Sequence, residues 1–260
     1  MKNMVREKLL AGEPTLGTFF ETGSATVAEC LGLAGLDYII IDTEHGPFNP
    51  QSALEFVRAA KLYGLTPFAR VQEISRAAIL KLLDVGVMGL VIPDVRTVAE
   101  VEKIVEYGKY LPLGKRGVAN TAGSGFWFED YAQHGLEHYF EVSNRETMLL
   151  PQCETVECLE HLEEIVRVPG IDGISVGPFD LSTALGILLG DPDAGAEFQR
   201  IYAAERETFD QQEKIDDHCV STAHEYFAEA YRHYVLYPDI LRQSAPQTYA
   251  YFQALFSEIS

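Results

Sequence analysis

The chain of 260 residues is poor in positive charge. It has 20 Lys and Arg against 39 Asp and Glu, a formal net charge of -19. Such a field repels nucleic acid and anionic membrane surfaces, so neither is an expected partner. It also means that an anionic substrate needs a local positive centre, an arginine or a metal ion. Cysteine is scarce. Cys30, Cys153, Cys158 and Cys219 show no CxxC spacing, which argues against a zinc site or a disulfide framework and for reduced thiols. No apolar run approaches the roughly 18 residues of a membrane span, and MKNMVREKLLAGEP lacks the apolar core of a signal peptide. A cytoplasmic location is expected. GxGxxG after the first strand, GxSxG, HExxH and the P-loop are all missing. No lysine falls in a predicted strand, Lys61, Lys81 and Lys115 included, which argues against a Schiff-base enzyme with a buried amine.

What is present is alternation. Tyr38–Ile39–Ile40–Ile41 is apolar and mostly β-branched, the pattern of a strand buried on both faces of a parallel sheet. It ends in Asp42, Glu44 and His45, and Gly46 and Pro47 break it. Two carboxylates and an imidazole there are costly unless paired or bound to something. The alternative is that Asp42 caps a turn while Glu44 and His45 are solvated.

Around this stretch the pattern predicts strands at 16–21, 66–71, 89–94, 147–155, 173–178, 218–221 and 234–237. It predicts helices at 24–34, 49–63, 75–85, 97–110, 156–168 and 223–232, with a polar loop and helix at 191–212 and a closing helix from Leu241. Residues 111–144 break the rhythm and read as a long glycine-rich loop carrying Phe126, Trp127 and Phe128. Those aromatics either pack under the loop or contact substrate or another subunit. His134, His138, His161, His224 and His233 are expected in exposed helices or loops. Eight strand–helix units make one (β/α)8 TIM barrel spanning 1–260, with a doubly wound sheet as the runner-up.

In such a barrel the site lies at the carboxyl ends of the strands. The rim then gathers Asp42, Glu44 and His45, Arg70, Asp94, Gln152 and Glu154, and Asp180. Glu154 and Asp180 end neighbouring strands, and two carboxylates with open water positions suit a hard divalent cation, Mg²⁺, Mn²⁺ or Co²⁺. Singly, Glu154 reads as a strand end pairing with a lysine and Asp180 as a helix cap. Gln152 shares the strand face of Glu154.

Several ordered blocks resemble one family. They are Gly35–Leu36–Asp37, IDTEHG at 41–46, Arg70, LLDVG at 82–86, Pro93, GKRGV at 114–118, QCET at 152–155 and VGPFDLS at 176–182. Over about residues 16–186 the chain resembles the HpcH/HpaI aldolase/citrate lyase family, the metal-dependent class II pyruvate aldolases. The resemblance implies a barrel of the phosphoenolpyruvate/pyruvate type. Its last helix is exchanged between subunits of a homohexamer, a trimer of dimers. It implies cleavage of a 4-hydroxy-2-oxo acid to pyruvate and an aldehyde. By the same resemblance Glu154 and Asp180 hold the metal, Arg70 binds the keto oxygen, and the N–H groups at Gly177 and Phe179 receive the carboxylate. His45, positioned by Asp42, moves a proton together with a water on the metal. Gln152 is a polar contact, and Asp84 reaches the neighbouring subunit's site. Two other readings remain. One is a CoA-thioester C–C lyase of the citrate lyase β or malyl-CoA lyase type, which a missing basic cluster disfavours. The other is a barrel that binds metal and keto acid without turnover. The pattern is departed from at Ala119, at the bulky Phe126–Phe128 and after Gly186.

Overall fold

A computed structural model describes residues 1–185, 192–210 and 221–257. The chain divides into two compact units. One comprises Met1–Cys153 and His161–Ser175, the other Glu154–Glu160 and Val176–Ser260.

The first unit holds the sheet. Its strands are β1 (Gly17–Phe20), β2 (Tyr38–Asp42), β3 (Thr66–Arg70), β4 (Gly89–Ile92) and β5 (Met148–Cys153), with the short β6 (Ser175–Val176) at its boundary. The order is β1-β2-β3-β4-β5-β6, and the pairs from β1 to β5 are parallel. A doubly wound sheet reverses its order at a switch point. This one does not, so the runner-up is set aside. The β3 and β4 strands are buried throughout, as expected of a parallel sheet covered on both faces.

The helices between the strands follow the sequence signals. They are α2 (Ala25–Leu33), α3 (Pro50–Leu62), α4 (Arg76–Asp84) and α5 (Val98–Gly108). Asn49 and Ser52 form a capping box at α3, with Pro50 in the first turn; Thr97 and Glu100 do the same at α5. An unanticipated helix, α1 (Met4–Leu10), precedes β1. The buried Asn3 caps it and also donates through Nδ2 to the carbonyls of Met88 (3.2 Å) and Glu146 (2.9 Å). Val5 thereby packs with Phe68 and Met148, and Tyr38, Ile40 and Leu150 join them on one face of the sheet. By the two-residue period, Asp42 and Arg70 belong to that same face at the carboxyl ends of β2 and β3. Close packing there depends on Gly89, since a Cβ on it would lie 2.6 Å from the Phe68 ring.

The loop expected at 111–144 is largely helical. It contains a 3₁₀ turn at Ala122–Trp127, α6 (Asp130–Gln133) and α7 (Leu136–Glu146). Phe126, Trp127 and Phe128 are not packed beneath it but 52%, 42% and 83% exposed. The helix predicted at 156–168 is two short ones, α8 (Val156–Glu160) and α9 (Leu162–Ile165).

Among the described residues the second unit is helical apart from its share of β6. It contains α8, α10 (Pro178–Ala184), α11 (Pro192–Glu205), α12 (Ala223–Leu236), α13 (Pro238–Ser244) and α14 (Pro246–Ser257). Its core is aromatic, built on Phe198, Tyr226, Phe227 and Phe252. The strand predicted at 234–237 is overturned, because those residues continue α12 to Leu236. Tyr234 rests on Tyr249 and Phe252, with ring centroids 5.4 and 5.6 Å apart, a helix-face contact that outweighs β propensity. His233 on the same helix is fully buried, against the expectation of exposure, with Nδ1 3.0 Å from the Glu229 carbonyl. The predicted seventh strand, apart from Ser221 in a turn, lies outside the described residues.

Candidate active site

Asp42 is the last residue of β2 and Arg70 the last of β3, and the two are register partners. Both are buried. The guanidinium lies on the carboxylate in a two-pronged contact, Nε to Oδ1 at 3.0 Å and Nη2 to Oδ2 at 2.5 Å. Asp42 Oδ1 also accepts the backbone N–H of Glu44 (3.0 Å) and of His45 (3.3 Å), so one carboxylate fixes both the arginine and the turn. Burial pushes the Asp42 carboxyl up. The hydrogen bonds and charge of Arg70, with the two N–H groups, more than reverse this and hold it below the usual carboxylate range. The Thr43 hydroxyl donates to the Arg70 carbonyl at 2.6 Å, which ties the two strand ends from the other side. Gly46 is required because a Cβ there would stand 2.2 Å from the Asp42 carbonyl oxygen.

Two neighbours of Arg70 were not singled out from sequence as its partners. Glu44 Oε2 lies 3.2 Å from Arg70 Nε. Phe19, from β1, sets its ring 4.9 Å from the guanidinium carbon. The signal for Phe19 was available, since alternation in GTFF places it on the face opposite to the buried Phe20. His45 is exposed, and its link to Asp42 runs through its backbone N–H rather than its ring. Gln152 is buried near the end of β5.

Asp84 stands elsewhere, at the end of α4. It pairs with Arg116 of the GKRGV block, Nη2 to Oδ1 at 3.2 Å, and Arg116 lies 4.8 Å over the Tyr110 ring. Two of the blocks noted in the sequence therefore meet in space. The second unit carries Glu154, buried just before α8, and the residues of α10. Gly177 is the N-cap of α10 and Phe179 and Asp180 lie in its first turn, with Asp180 exposed. The leading N–H groups of a helix lack helical acceptors, and an acidic side chain there suits the helix dipole. Among the described residues no group of three or more His, Cys, Asp and Glu side chains is assembled for a metal. The oxygen donors that the chain offers at Glu154 and Asp180 are two carboxylates, a set that fits a hard cation retaining several exchangeable positions.

Comparison with known proteins identifies the family of the chain. Residues 15–214 match the profile of the HpcH/HpaI aldolase/citrate lyase family. The chain is 38% identical over 186 residues, 71% of each protein, to a hydroxypyruvate/pyruvate aldolase of Sagittula stellata. It is 34% identical over 202 residues, 77% of this chain and 73% of the other, to a 2-keto-3-deoxy-L-rhamnonate aldolase of Salmonella gallinarum. The crystal structure of an HpcH/HpaI aldolase from Desulfitobacterium hafniense superposes with a TM-score of 0.65 at 30% identity, covering 78% of each chain. The chain is therefore a carbon–carbon lyase and a member of the HpcH/HpaI aldolase/citrate lyase family.

Proposed function

We propose that the protein is a divalent-metal-dependent aldolase that reversibly cleaves a 4-hydroxy-2-oxo acid into pyruvate and an aldehyde. The observation that carries this reading is the Arg70 guanidinium held on Asp42 at the ends of two adjacent parallel strands. The relatives named as a hydroxypyruvate/pyruvate aldolase and a 2-keto-3-deoxy-L-rhamnonate aldolase support it.

Cleavage expels an aldehyde and leaves an enolate, so negative charge develops on the keto oxygen. Arg70 donates to that oxygen, and Asp42 keeps the guanidinium oriented before the charge appears. Glu154 and Asp180 would hold Mg²⁺, Mn²⁺ or Co²⁺, and the cation, when bound, would supply Lewis-acid polarisation of the keto oxygen. The Gly177 and Phe179 N–H groups receive the substrate carboxylate at the start of α10. His45 moves the proton of the aldol hydroxyl, and Gln152 gives a polar contact to the substrate. Asp84 serves the site of a neighbouring subunit.

In this reading the 260 residues form one (β/α)8 barrel whose last helix is exchanged within a homohexamer, a trimer of dimers. The partners are small keto acids and aldehydes, not nucleic acid or membrane. Among the described residues no helix is long and apolar enough to cross a membrane, and a cytoplasmic location is proposed.

The test is exchange of pyruvate methyl protons with D₂O, followed by NMR. The reading requires exchange that depends on Mg²⁺ or Mn²⁺, stops with a chelator and is lost in Arg70→Ala and Glu154→Ala. Exchange that survives metal removal overturns the metal dependence, and full exchange in Arg70→Ala overturns the site.

A further inference from the structure

Charge grips the Arg70 guanidinium along its Nε–Nη2 edge. Asp42 accepts Nε at 3.0 Å and Nη2 at 2.5 Å, and Glu44 Oε2 stands 3.2 Å from the same Nε. A two-point contact of this kind fixes the planar fork within its plane. It leaves rotation about the line through the two Asp42 oxygens, by which the plane tilts like a hinge leaf. The guanidinium carbon also lies over the Phe19 ring, 4.9 Å from its centroid. A ring there resists the movement, since tilting carries the cation off the π face or into the ring.

Strand β1 brings the ring to this position. Gly17 and Phe19 pair in register with Tyr38 and Ile40 of β2. By the two-residue period both belong to the sheet face that carries Asp42 and Arg70. Gly17 lets β1 lie close enough, since a Cβ on it would stand 2.4 Å from the Tyr38 ring. Phe20 beside it is 1% exposed and in the core, whereas Phe19 stays 48% exposed, so core packing does not account for the Phe19 ring.

An aromatic side chain suits this place. A carboxylate or amide would compete for the N–H groups of the fork, and a third acid beside Asp42 and Glu44 would add to the negative charge around one cation. The ring attracts the cation with neither a charge nor a lone pair. We infer that Phe19 is a positioning residue. Its ring holds the tilt of the Arg70 guanidinium about the Asp42 carboxylate, and so keeps its donors aimed at the oxygen on which the enolate charge develops. The target oxygen rests on the aldolase reading; the hold on Arg70 rests on geometry alone. The benefit is largest where the charge is largest, in the transition state, so it falls on kcat more than on KM.

The experiment has two arms on the intact protein and its Phe19→Leu and Phe19→Tyr variants. Phe19 is half-exposed, so both variants keep the fold. The first arm is exchange of pyruvate methyl protons with D₂O in the presence of Mn²⁺, followed by NMR over a range of pyruvate concentrations. Phe19→Leu is expected to lower kcat about tenfold and to move KM less than about twofold, and Phe19→Tyr, which keeps the ring, to recover most of the rate. The second arm needs no turnover. It reads the proton signal of Arg70 Nε–H, identified by its loss in Arg70→Lys. The ring displaces this signal upfield, so it moves downfield in Phe19→Leu and stays near its place in Phe19→Tyr. Wild-type kcat in Phe19→Leu, an effect confined to KM, a Phe19→Tyr as slow as Phe19→Leu, or an Arg70 signal that does not move each overturns the inference. An effect on KM alone would make the ring a substrate contact. Absence of exchange in the wild type counts against the aldolase reading instead, and the Arg70 signal then decides whether Phe19 holds the guanidinium.

Discussion

The Arg70 guanidinium lies against the Asp42 carboxylate at 3.0 and 2.5 Å, joining the last residues of β2 and β3. Removing one partner strands the other in a nearly dry site. Asp42→Ala is expected to lose about 3–5 kcal/mol of stability, read by urea denaturation. Asp42→Asn keeps one acceptor and loses less. A loss in Asp42→Ala no larger than that of an exposed pair would show that the contact is not held in solution.

The same pair sets an acid limit. Asp42 titrates below its unfolded value, so its contribution is fully present above the ordinary carboxylate pKa and is lost as pH falls through the native one. Wild type should therefore lose stability below about pH 4 more steeply than Asp42→Asn. Urea midpoints at a series of pH values measure this, and parallel curves would contradict it.

Gly89 is a packing test of the sheet interior. Its missing Cβ would lie 2.6 Å from the Phe68 ring. Gly89→Ala is expected to destabilise by about 1–3 kcal/mol, and Phe68→Leu in the same chain to recover part of that. Additive effects in a double-mutant cycle would deny the contact.

Lys109 is 2% exposed, and its ammonium donates to the Asn144 and Thr147 carbonyls and to Asp172. Asp172 Oδ2 also accepts the Leu149 N–H at 3.0 Å at the start of β5. Lys109→Met keeps the stem and removes three hydrogen bonds. A loss of about 3–5 kcal/mol in the thermal or urea transition is expected. A near-neutral outcome would mean that water replaces the ammonium.

Asp84 pairs with Arg116 within its own subunit, and it is proposed to serve the site next door. Mixed oligomers separate these roles. Arg70→Ala and Asp84→Ala chains, each inactive alone, should regain measurable activity when coexpressed, because some sites then receive both intact residues. Activity no higher than that of the separate variants would confine Asp84 to its structural pair.

Much of the first unit was legible in the chain. The run YIIID, the Asn49–Pro50 cap, the Thr97–Glu100 box and the apolar GLVI are local signals, and local signals decide local structure. The carboxylates and arginine at strand ends were legible for the same reason: a buried β-branched run that stops in charge marks a rim. The partnership of Glu44 and Phe19 with Arg70 was not, because it depends on strand register and rotamer.

By itself, then, the sequence determined the parallel β/α alternation from Gly17 to Cys153, the family blocks and the acidic character. Tertiary structure decided the rest. It joined LLDVG to GKRGV through Asp84 and Arg116, 32 residues apart and so beyond any local period. It turned the 111–144 segment into helices. It also drew Tyr234 into α12, because an aromatic core collected from Phe198, Tyr226 and Phe252 rewards a helical face more than YVLY rewards a strand. Propensity acts between neighbours in sequence, whereas burial acts between neighbours in space, and where they conflict the larger buried area prevails.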